Sequence, residues 1–123
     1  MAHKKRGFDR TERVADLLQK SLAQLVHEDS SDTRFRLVTI TSVSVSRDLS
    51  YAKVFVTVLE DDQEKIKQTI LALNRSAKAL RYSLARAVQL RIVPELKFVY
   101  DESTAQGFRI SMLIDSAVKK IDK

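Results

Sequence analysis

The chain has 123 residues, 44% hydrophobic and 31% charged, a balance that predicts one globular domain with its own core. It contains no cysteine, which excludes disulfide frameworks and cysteine-ligated metal or redox sites. It also has no apolar run long enough for a secretory signal or a membrane span, so we expect a cytoplasmic protein. The formal net charge of +6 suits a polyanionic partner, although surface lysines and arginines also serve solubility.

Apolar residues near the N-terminus recur at spacings of three and four residues from Val14 to Val26. That period predicts an amphipathic helix, with Asp9 or Thr11 capping its start. The polar segment 28–34 that follows has no such period and is typical of a loop.

Two strand-like runs come next, "RLVTITSVSVS" and "YAKVFVTVLE", and the short connection between them suits a hairpin. In the first run the apolar alternation shifts by one residue near Thr41 and Ser42, which predicts a β-bulge. In the second run one face is alanine and valine, and the other carries Tyr51, Lys53 and Phe55.

The acidic stretch "EDDQE" begins a long helical pattern. Its apolar residues from Ile66 to Val88 stay within about 80° of one another on a helical wheel. Pro94 ends the pattern, and "ELKFVY" predicts a third strand. A weaker amphipathic segment containing Gly107 predicts a last helix.

The predicted order is therefore α-β-β-α-β-α, which favours an α+β fold. A hairpin supplies one antiparallel pair of strands, and the long helix is a crossover that returns the third strand parallel to one of them. We expect a three-stranded mixed sheet with the helices packed on one face, because that arrangement buries every apolar face economically.

The sequence offers little for catalysis. Its histidines, His3 and His27, are isolated, and with no cysteine a zinc site or a Ser–His triad is hard to build. Its only glycines, Gly7 and Gly107, cannot form a dinucleotide-binding or Walker loop, and "EDDQE" lacks the spacing of a calcium loop. We expect a binding protein rather than an enzyme, with no catalytic residue, metal or other cofactor.

Basic residues concentrate on the long helix and near the N-terminus. On the wheel, Lys78 and Arg86 lie nearly opposite the apolar stripe, so core packing and charge use different sides of one helix. Arginine binds phosphate through two parallel hydrogen bonds, and tyrosine stacks on unpaired bases. The same residues also suit an ordinary solvent-facing surface. The candidate RNA-binding residues are Lys4, Lys5, Arg6, Arg10, Arg75, Ser76, Lys78, Arg81, Tyr82, Arg86 and Arg91.

Two long motifs, "SRDLSYAKVFVTVLED" at 46–61 and "LRIVPELKFVYDES" at 90–103, resemble the bacterial ribosome-binding factor A family. "RTERVADLLQKSLAQLV" fits that family's first helix and "GFRISMLI" fits its last, so the resemblance extends to about Val118. It implies a type-II KH-like domain, here at 9–118, with a kinked helix before the third strand and an added C-terminal helix. A basic N-terminal arm at 1–8 and a short charged tail at 119–123 flank that domain.

The resemblance also implies a function. Members of the family are non-catalytic assembly factors that bind the immature small (30S) ribosomal subunit and its 16S rRNA, support late maturation of the rRNA ends, and help growth in the cold. The implied partners are the small subunit and its rRNA, with ribosomal proteins or an assembly GTPase as further candidates. We expect no membrane partner and a monomer when the protein is free.

The chain departs from the family at one point. Where the family has an Ala-x-Gly kink between two helices, this chain has Ser76, Ala77 and Lys78. The permissive glycine is missing, and the apolar stripe crosses the site without a change of phase. We still expect a bend, because the family fold has to return the next strand to the sheet.

Other interpretations stay open. The main alternative is a protein-interaction module that docks a ribosomal protein or a maturation GTPase, because a small sheet has edges that a partner strand can extend. An RRM-type domain is a weaker alternative: "AKVFVTV" is similar to an aromatic RRM strand, but the required glycine is absent and the element order differs. In the hairpin connection we expect a structural role for Asp48, and the role of Arg47 is open.

Overall fold

The computed structural model describes residues 6–28, 32–103 and 105–121. Its elements follow the predicted order, with one helix divided in two and one short 3-10 helix added at Thr33–Leu37. The helices and strands are α1 (Arg6–Glu28), β1 (Val38–Val45), β2 (Tyr51–Val58), α2 (Gln63–Arg75), α3 (Ala77–Ala87), β3 (Glu95–Tyr100) and α4 (Ala105–Ile121).

The three strands form one mixed sheet in the order β1-β2-β3. β1 pairs with β2 in antiparallel register, and β2 pairs with β3 in parallel register, so the predicted α+β arrangement is confirmed. The predicted β-bulge is also confirmed, because the register shifts between Ile40 and Ser42. Alternate residues of β2, from Ala52 to Val58, are buried beneath the helices.

The first helix buries Val14, Leu18, Leu22 and Val26, which lie four residues apart on one face. The helical backbone begins at Arg6, so Asp9 and Thr11 lie inside α1. The expectation that one of them caps the helix start is therefore wrong: the local capping pattern was present, but the helix continues past it towards the N-terminus.

Side chains of α1 also cover the outer edge of β1. His27 Nε2 lies 2.7 Å from the carbonyl oxygen of Val38. Gln19 Nε2 lies 3.4 Å from the carbonyl oxygens of Ile40 and Thr41. Because unpaired strand edges invite pairing with other chains, these contacts protect the N-terminal half of β1.

The long helix predicted from Ile66 to Val88 is interrupted at Ser76, where the backbone has φ −90° and ψ 0°. The amide of Ser76 donates to the carbonyl oxygens of Ala72 (3.0 Å) and Leu73 (3.1 Å), and its own carbonyl accepts from Leu80 (2.9 Å). The expected bend is present, and it needs no glycine, because a negative φ is open to every residue type.

The two halves of the interrupted helix have different neighbours. α2 packs mainly on α4, whereas α3 packs mainly on α1 and β3. Apolar side chains stay buried across the interruption, including Leu73 in α2 and Leu80 and Leu84 in α3. The uninterrupted apolar stripe in the sequence therefore serves two helices that pack against different partners.

Helical backbone extends into both predicted flanking segments. Residues 6–8 belong to α1, while residues 1–5 of the expected arm lie outside the described ranges. At the other end α4 continues to Ile121, within the segment expected as a tail. The domain boundaries at residues 8 and 118 remain predictions.

Candidate nucleic-acid interface

Helix α3 separates core packing from charge as the sequence predicts. Leu80 and Leu84 are buried, whereas Lys78 and Arg86 are exposed and Tyr82 exposes 68% of its surface. None of these three exposed side chains forms an ion pair or hydrogen bond with the described part of the chain. The outer surface of α3 therefore presents two unneutralised cations and one aromatic ring.

Arg81 differs from its neighbours because part of its side chain is structural. Its Nε donates a hydrogen bond of 3.0 Å to the carbonyl oxygen of Val93, in the loop between α3 and β3. This bond holds the guanidinium against that loop and leaves its terminal nitrogens available. An arginine held in this way loses less side-chain entropy when it binds an anion.

The remaining candidates are spread over several elements. Arg75 and Ser76 lie at the helix interruption, Arg91 is exposed in the loop after α3, and Arg10 is exposed on α1. Arg6 is the first residue of α1, and Lys4 and Lys5 lie outside the described ranges. Lys78, Arg81, Tyr82 and Arg86 therefore share helix α3, and Arg75, Ser76 and Arg91 lie in the segments that flank it.

A cleft of about 460 Å³ opens beside the interruption, where the start of α3 faces β3. Lys78 and Arg81 line it from the helix side, and Glu95 and Lys97 line it from the strand side. Tyr51, at the start of β2, completes its rim. The cleft combines three cations, one carboxylate and one exposed ring, a set that suits a phosphate-containing ligand with hydrogen-bonding groups.

Asn74 lies in this region but was not among the candidates from the sequence. Its carboxamide donates to the carbonyl oxygen of Phe98 (2.9 Å) and accepts from the amide of Phe98 (2.9 Å). It also lies 3.2 Å from the carbonyl oxygen of Ile70, one helical turn earlier. Asn74 therefore ties the end of α2 to the outer edge of β3, and it lines the cleft.

Tyr51, Glu95 and Lys97 were also absent from the candidates. The signal that could have found them is strand register, because parallel pairing places Tyr51 beside Glu95. That register depends on the crossover through α2 and α3, which the local sequence pattern does not define.

The connection between β1 and β2 is held by Asp48, as expected. Its Oδ1 accepts hydrogen bonds from the hydroxyl of Ser50 (2.7 Å), the hydroxyl of Ser46 (2.8 Å) and the amide of Ser50 (3.1 Å). Leu49 takes a positive φ of 62° in the same turn. Arg47 is exposed and forms no hydrogen bond or ion pair with the described part of the chain, so its role stays open.

These bonds, first from the Ser50 hydroxyl and then from Ser46, hold the pKa of Asp48 below its usual range. A lowered folded-state pKa stabilises the native protein above the unfolded value near pH 4, and this stabilisation is lost as the pH falls through the folded pKa. We expect Asp48→Ala to lower Tm at pH 7 and to differ progressively less from the wild type below about pH 4. Thermal unfolding followed by circular dichroism across this pH range measures the effect.

The exposed Asp61→Ala is the matched control, because that carboxylate accepts no recorded hydrogen bond. A Tm difference between Asp48→Ala and the wild type that stays constant from pH 7 to pH 2 would contradict the role assigned to the Asp48 carboxylate.

Within the described ranges, no helix is long and apolar enough to cross a membrane. Nor do three histidine, aspartate or glutamate side chains of those ranges gather closely enough to hold a metal ion.

Comparison with known protein families gives a match to the family model of ribosome-binding factor A over residues 10–114. A ribosome-binding factor A of Pseudomonas syringae pv. syringae (strain B728a) is 50% identical over 112 residues, which cover 90% of this chain and 81% of that protein. One from Pseudomonas fluorescens (strain SBW25) is 49% identical over 112 residues, covering 90% of this chain and 86% of that protein.

Solved structures show the same likeness. The crystal structure of ribosome-binding factor A from Thermus thermophilus superposes with a TM-score of 0.63 at 28% identity, covering 73% of this chain and 94% of that one. A homology model of Thermus thermophilus ribosome-binding factor A, fitted into a cryo-EM map of its complex with 30S, gives a TM-score of 0.59 at 28% identity. That match covers 72% of this chain and 92% of the other.

Proposed function

The chain belongs to the ribosome-binding factor A family, and from that premise we propose that it is a non-catalytic assembly factor of the small (30S) ribosomal subunit. In this proposal the protein acts in the cytoplasm as a monomer that binds the immature 30S subunit and its 16S rRNA. It supports late maturation of the rRNA ends, including during growth in the cold. The related Thermus protein has been placed in a 30S complex, which supports the choice of partner.

The observation that carries the rRNA contact is the outer surface of α3. Lys78 and Arg86 are exposed there without an acidic partner among the described residues, and Arg75 lies at the helix interruption beside them. Ion pairs with phosphate release condensed counterions from the nucleic acid, so such a surface binds RNA with a strong dependence on salt. We propose that Arg81, Tyr82 and Ser76 extend the same contact.

Two flanking features complete the proposal. The basic residues of the arm at 1–8, together with Arg10 and Arg91, would add further phosphate contacts around the domain at 9–118. The tail at 119–123 follows that domain. A contact with a ribosomal protein or an assembly GTPase remains compatible with this arrangement.

The alternative of a protein-interaction module draws limited support from the sheet edges. The first half of the β1 edge is occupied by Gln19 and His27, and Asn74 occupies the middle of the β3 edge. Strand addition by a partner would have to displace these contacts. Persistent binding of the protein to subunit material after rRNA digestion would favour this alternative over direct rRNA contact.

We expect the combined change Arg75→Gln, Lys78→Gln and Arg86→Gln to weaken binding to purified immature small subunits on the order of tenfold at moderate salt. The salt dependence of the affinity should also fall, by about two units of its logarithmic slope, because three phosphate contacts are lost. Arg81 is left unchanged, because its replacement would also remove the hydrogen bond to Val93 and could lower the stability of the protein. Sedimentation or surface plasmon resonance at several salt concentrations measures both quantities.

The matched control is Arg36→Gln, Lys65→Gln and Lys67→Gln, which removes the same charge away from α3. Equal loss of binding in the two triple variants would show that net charge alone matters. Wild-type binding by the folded α3 variant would count decisively against rRNA contact through this helix.

A further inference from the structure

The face of the sheet opposite the helices carries a pattern that α3 binding does not use. On β2, the buried residues alternate with Tyr51, Lys53 and Phe55, which point to the other face. All the described helices pack on the buried side of the sheet. This open face contains the phenylalanine of the "AKVFVTV" run and the tyrosine that precedes the run.

Strand register places two lysines side by side on that face. Lys53 of β2 pairs with Lys97 of β3, and Ser44 of β1 lies on the other side of Lys53. Both lysines are exposed and neither forms an ion pair with the described residues. Like charges on neighbouring positions of a sheet repel, so an anion bound between Lys53 and Lys97 would reduce the repulsion between them.

Two aromatic rings flank this pair along β2. Tyr51 exposes 58% of its surface, and Phe55, which pairs with Val99, is half-buried. Because a strand rises about 3.3 Å per residue, the backbone positions of Tyr51 and Phe55 lie roughly 6.6 Å on either side of Lys53. Rings that alternate with cations at this spacing suit a single strand of nucleic acid, whose bases stack while its phosphates pair with lysine.

The open face is continuous with the cleft beside α3. Tyr51 and Lys97 belong to both, because they line the cleft opposite Lys78 and Arg81 and also point to the open face. One basic surface thus runs from α3 around the β3 edge and onto the sheet.

We propose that the open sheet face binds an unpaired stretch of RNA, with Tyr51 stacking on a base and Lys53 and Lys97 binding phosphates. The proposal rests on the rRNA-binding function proposed above and assigns it a second, single-strand-specific surface. The rings of Tyr51 and Phe55 favour RNA over an acidic peptide, because a base stacks on an exposed ring while its phosphate pairs with a neighbouring lysine. Glu95, which pairs with Tyr51, can accept hydrogen bonds from base amino groups.

The test uses the full chain and a fluorescein-labelled oligocytidylate of twelve nucleotides, which forms no base pairs at neutral pH. We expect Tyr51→Leu to weaken binding about tenfold, as for loss of one stacked base, and Tyr51→Phe to retain wild-type affinity because the ring is kept. Lys53→Gln with Lys97→Gln should lower the logarithmic salt slope by about one unit, since two single-strand phosphate contacts are lost. Lys65→Gln with Lys67→Gln is the charge-matched control, and fluorescence anisotropy reports each affinity.

Wild-type affinity in Tyr51→Leu, or equal effects of the two lysine pairs, would overturn the proposal. So would an acidic peptide of the same length that binds as tightly as the oligonucleotide and loses affinity with the same variants. The test distinguishes this proposal from the proposed function. If the α3 variant loses subunit binding while Tyr51→Leu keeps wild-type oligonucleotide affinity, only the sheet surface is contradicted. If instead the α3 variant binds subunits like the wild type while Tyr51→Leu weakens oligonucleotide binding, the α3 contact is contradicted and the sheet surface is supported.

Discussion

Replacing Phe35 with alanine is expected to lower the free energy of unfolding by about 3–5 kcal/mol. Phe35 lies in the short 3-10 helix between α1 and β1, and its side chain is completely buried. That helix packs against both α1 and α2. Truncation would remove a large apolar surface from the core. It would also leave a cavity, because α1 and α2 are held by their other contacts and cannot move in to fill it.

Leu37 provides the matched control, because it lies two residues away in the same 3-10 helix but exposes 38% of its surface. Leu37→Ala should cost less, since over a third of the residue's surface stays in water in the folded state. Urea titrations of the two variants and the wild type measure the difference. Similar losses for both substitutions would show that the 3-10 helix itself, rather than the Phe35 contact, limits stability.

Phe35 also shows where the sequence patterns stop being informative. It lies between a polar segment and the first strand, and neither a period of two nor a period of 3.6 includes it. The segment is fixed by other means: Asp32 caps the 3-10 helix, and its carboxylate accepts from the amide of Arg34 (3.0 Å) and pairs with that guanidinium at 2.6 Å. These bonds, chiefly that from the Arg34 side chain, hold the pKa of Asp32 below its usual range.

The regular elements were predictable because their burial is periodic. Alternation in β2, the phase shift in β1 and the four-residue spacing in α1 each correspond to side chains that the structure buries. β3 spans Glu95–Tyr100, the same six residues as the predicted "ELKFVY" strand. Periodicity indicates which face of an element is apolar, and in a small domain with a single core that face is the one that becomes buried.

The site was predictable only in part, for the same reason. The exposed cations of α3 follow from the helical wheel, because a residue opposite the apolar stripe has to face solvent. The cleft does not, because it needs the parallel register that sets Tyr51 beside Glu95 and the crossover that brings Lys78 near them. Those contacts join residues far apart in the chain, and no local period encodes them.

The helix interruption was predictable from the resemblance but not from the residues at the site. The resemblance indicated its place, while the absence of glycine argued against it. Ser76 resolves the conflict because its φ of −90° is negative, and residues with a Cβ can adopt a negative φ. What holds the interruption is the packing on either side of it, together with the bonds that Asn74 makes to β3.

Replacing Asn74 with leucine is therefore expected to destabilise the protein by about 3 kcal/mol, close to the effect of losing a buried core side chain. Leucine branches at the same carbon as asparagine, but it can neither accept from the amide of Phe98 nor donate to its carbonyl oxygen, both 2.9 Å away. Two part-buried backbone groups at the β3 edge would lose their partner, and each such group costs about 1–3 kcal/mol. In a domain of this size the loss corresponds to a fall in Tm of roughly 10 °C.

Asn74→Asp separates the two bonds. Its carboxylate can still accept from the amide of Phe98, but it cannot donate, and it places a negative charge against the carbonyl oxygens of Phe98 and Ile70. We expect it to be at least as destabilising as Asn74→Leu at neutral pH. Wild-type stability in Asn74→Asp would show that the donated bonds contribute nothing.

Amide hydrogen exchange at Phe98 gives the most direct measurement. Neighbouring residues of β3 alternate in direction, and Phe98 turns its amide away from β2 towards Asn74. In the wild type this outer-edge amide should exchange slowly, because a side chain rather than a strand protects it. Asn74→Leu should accelerate its exchange much more than that of the inner-edge amide of Val99. An equal acceleration at both positions would mean that the whole strand loosens, and that Asn74 stabilises the fold without closing the β3 edge.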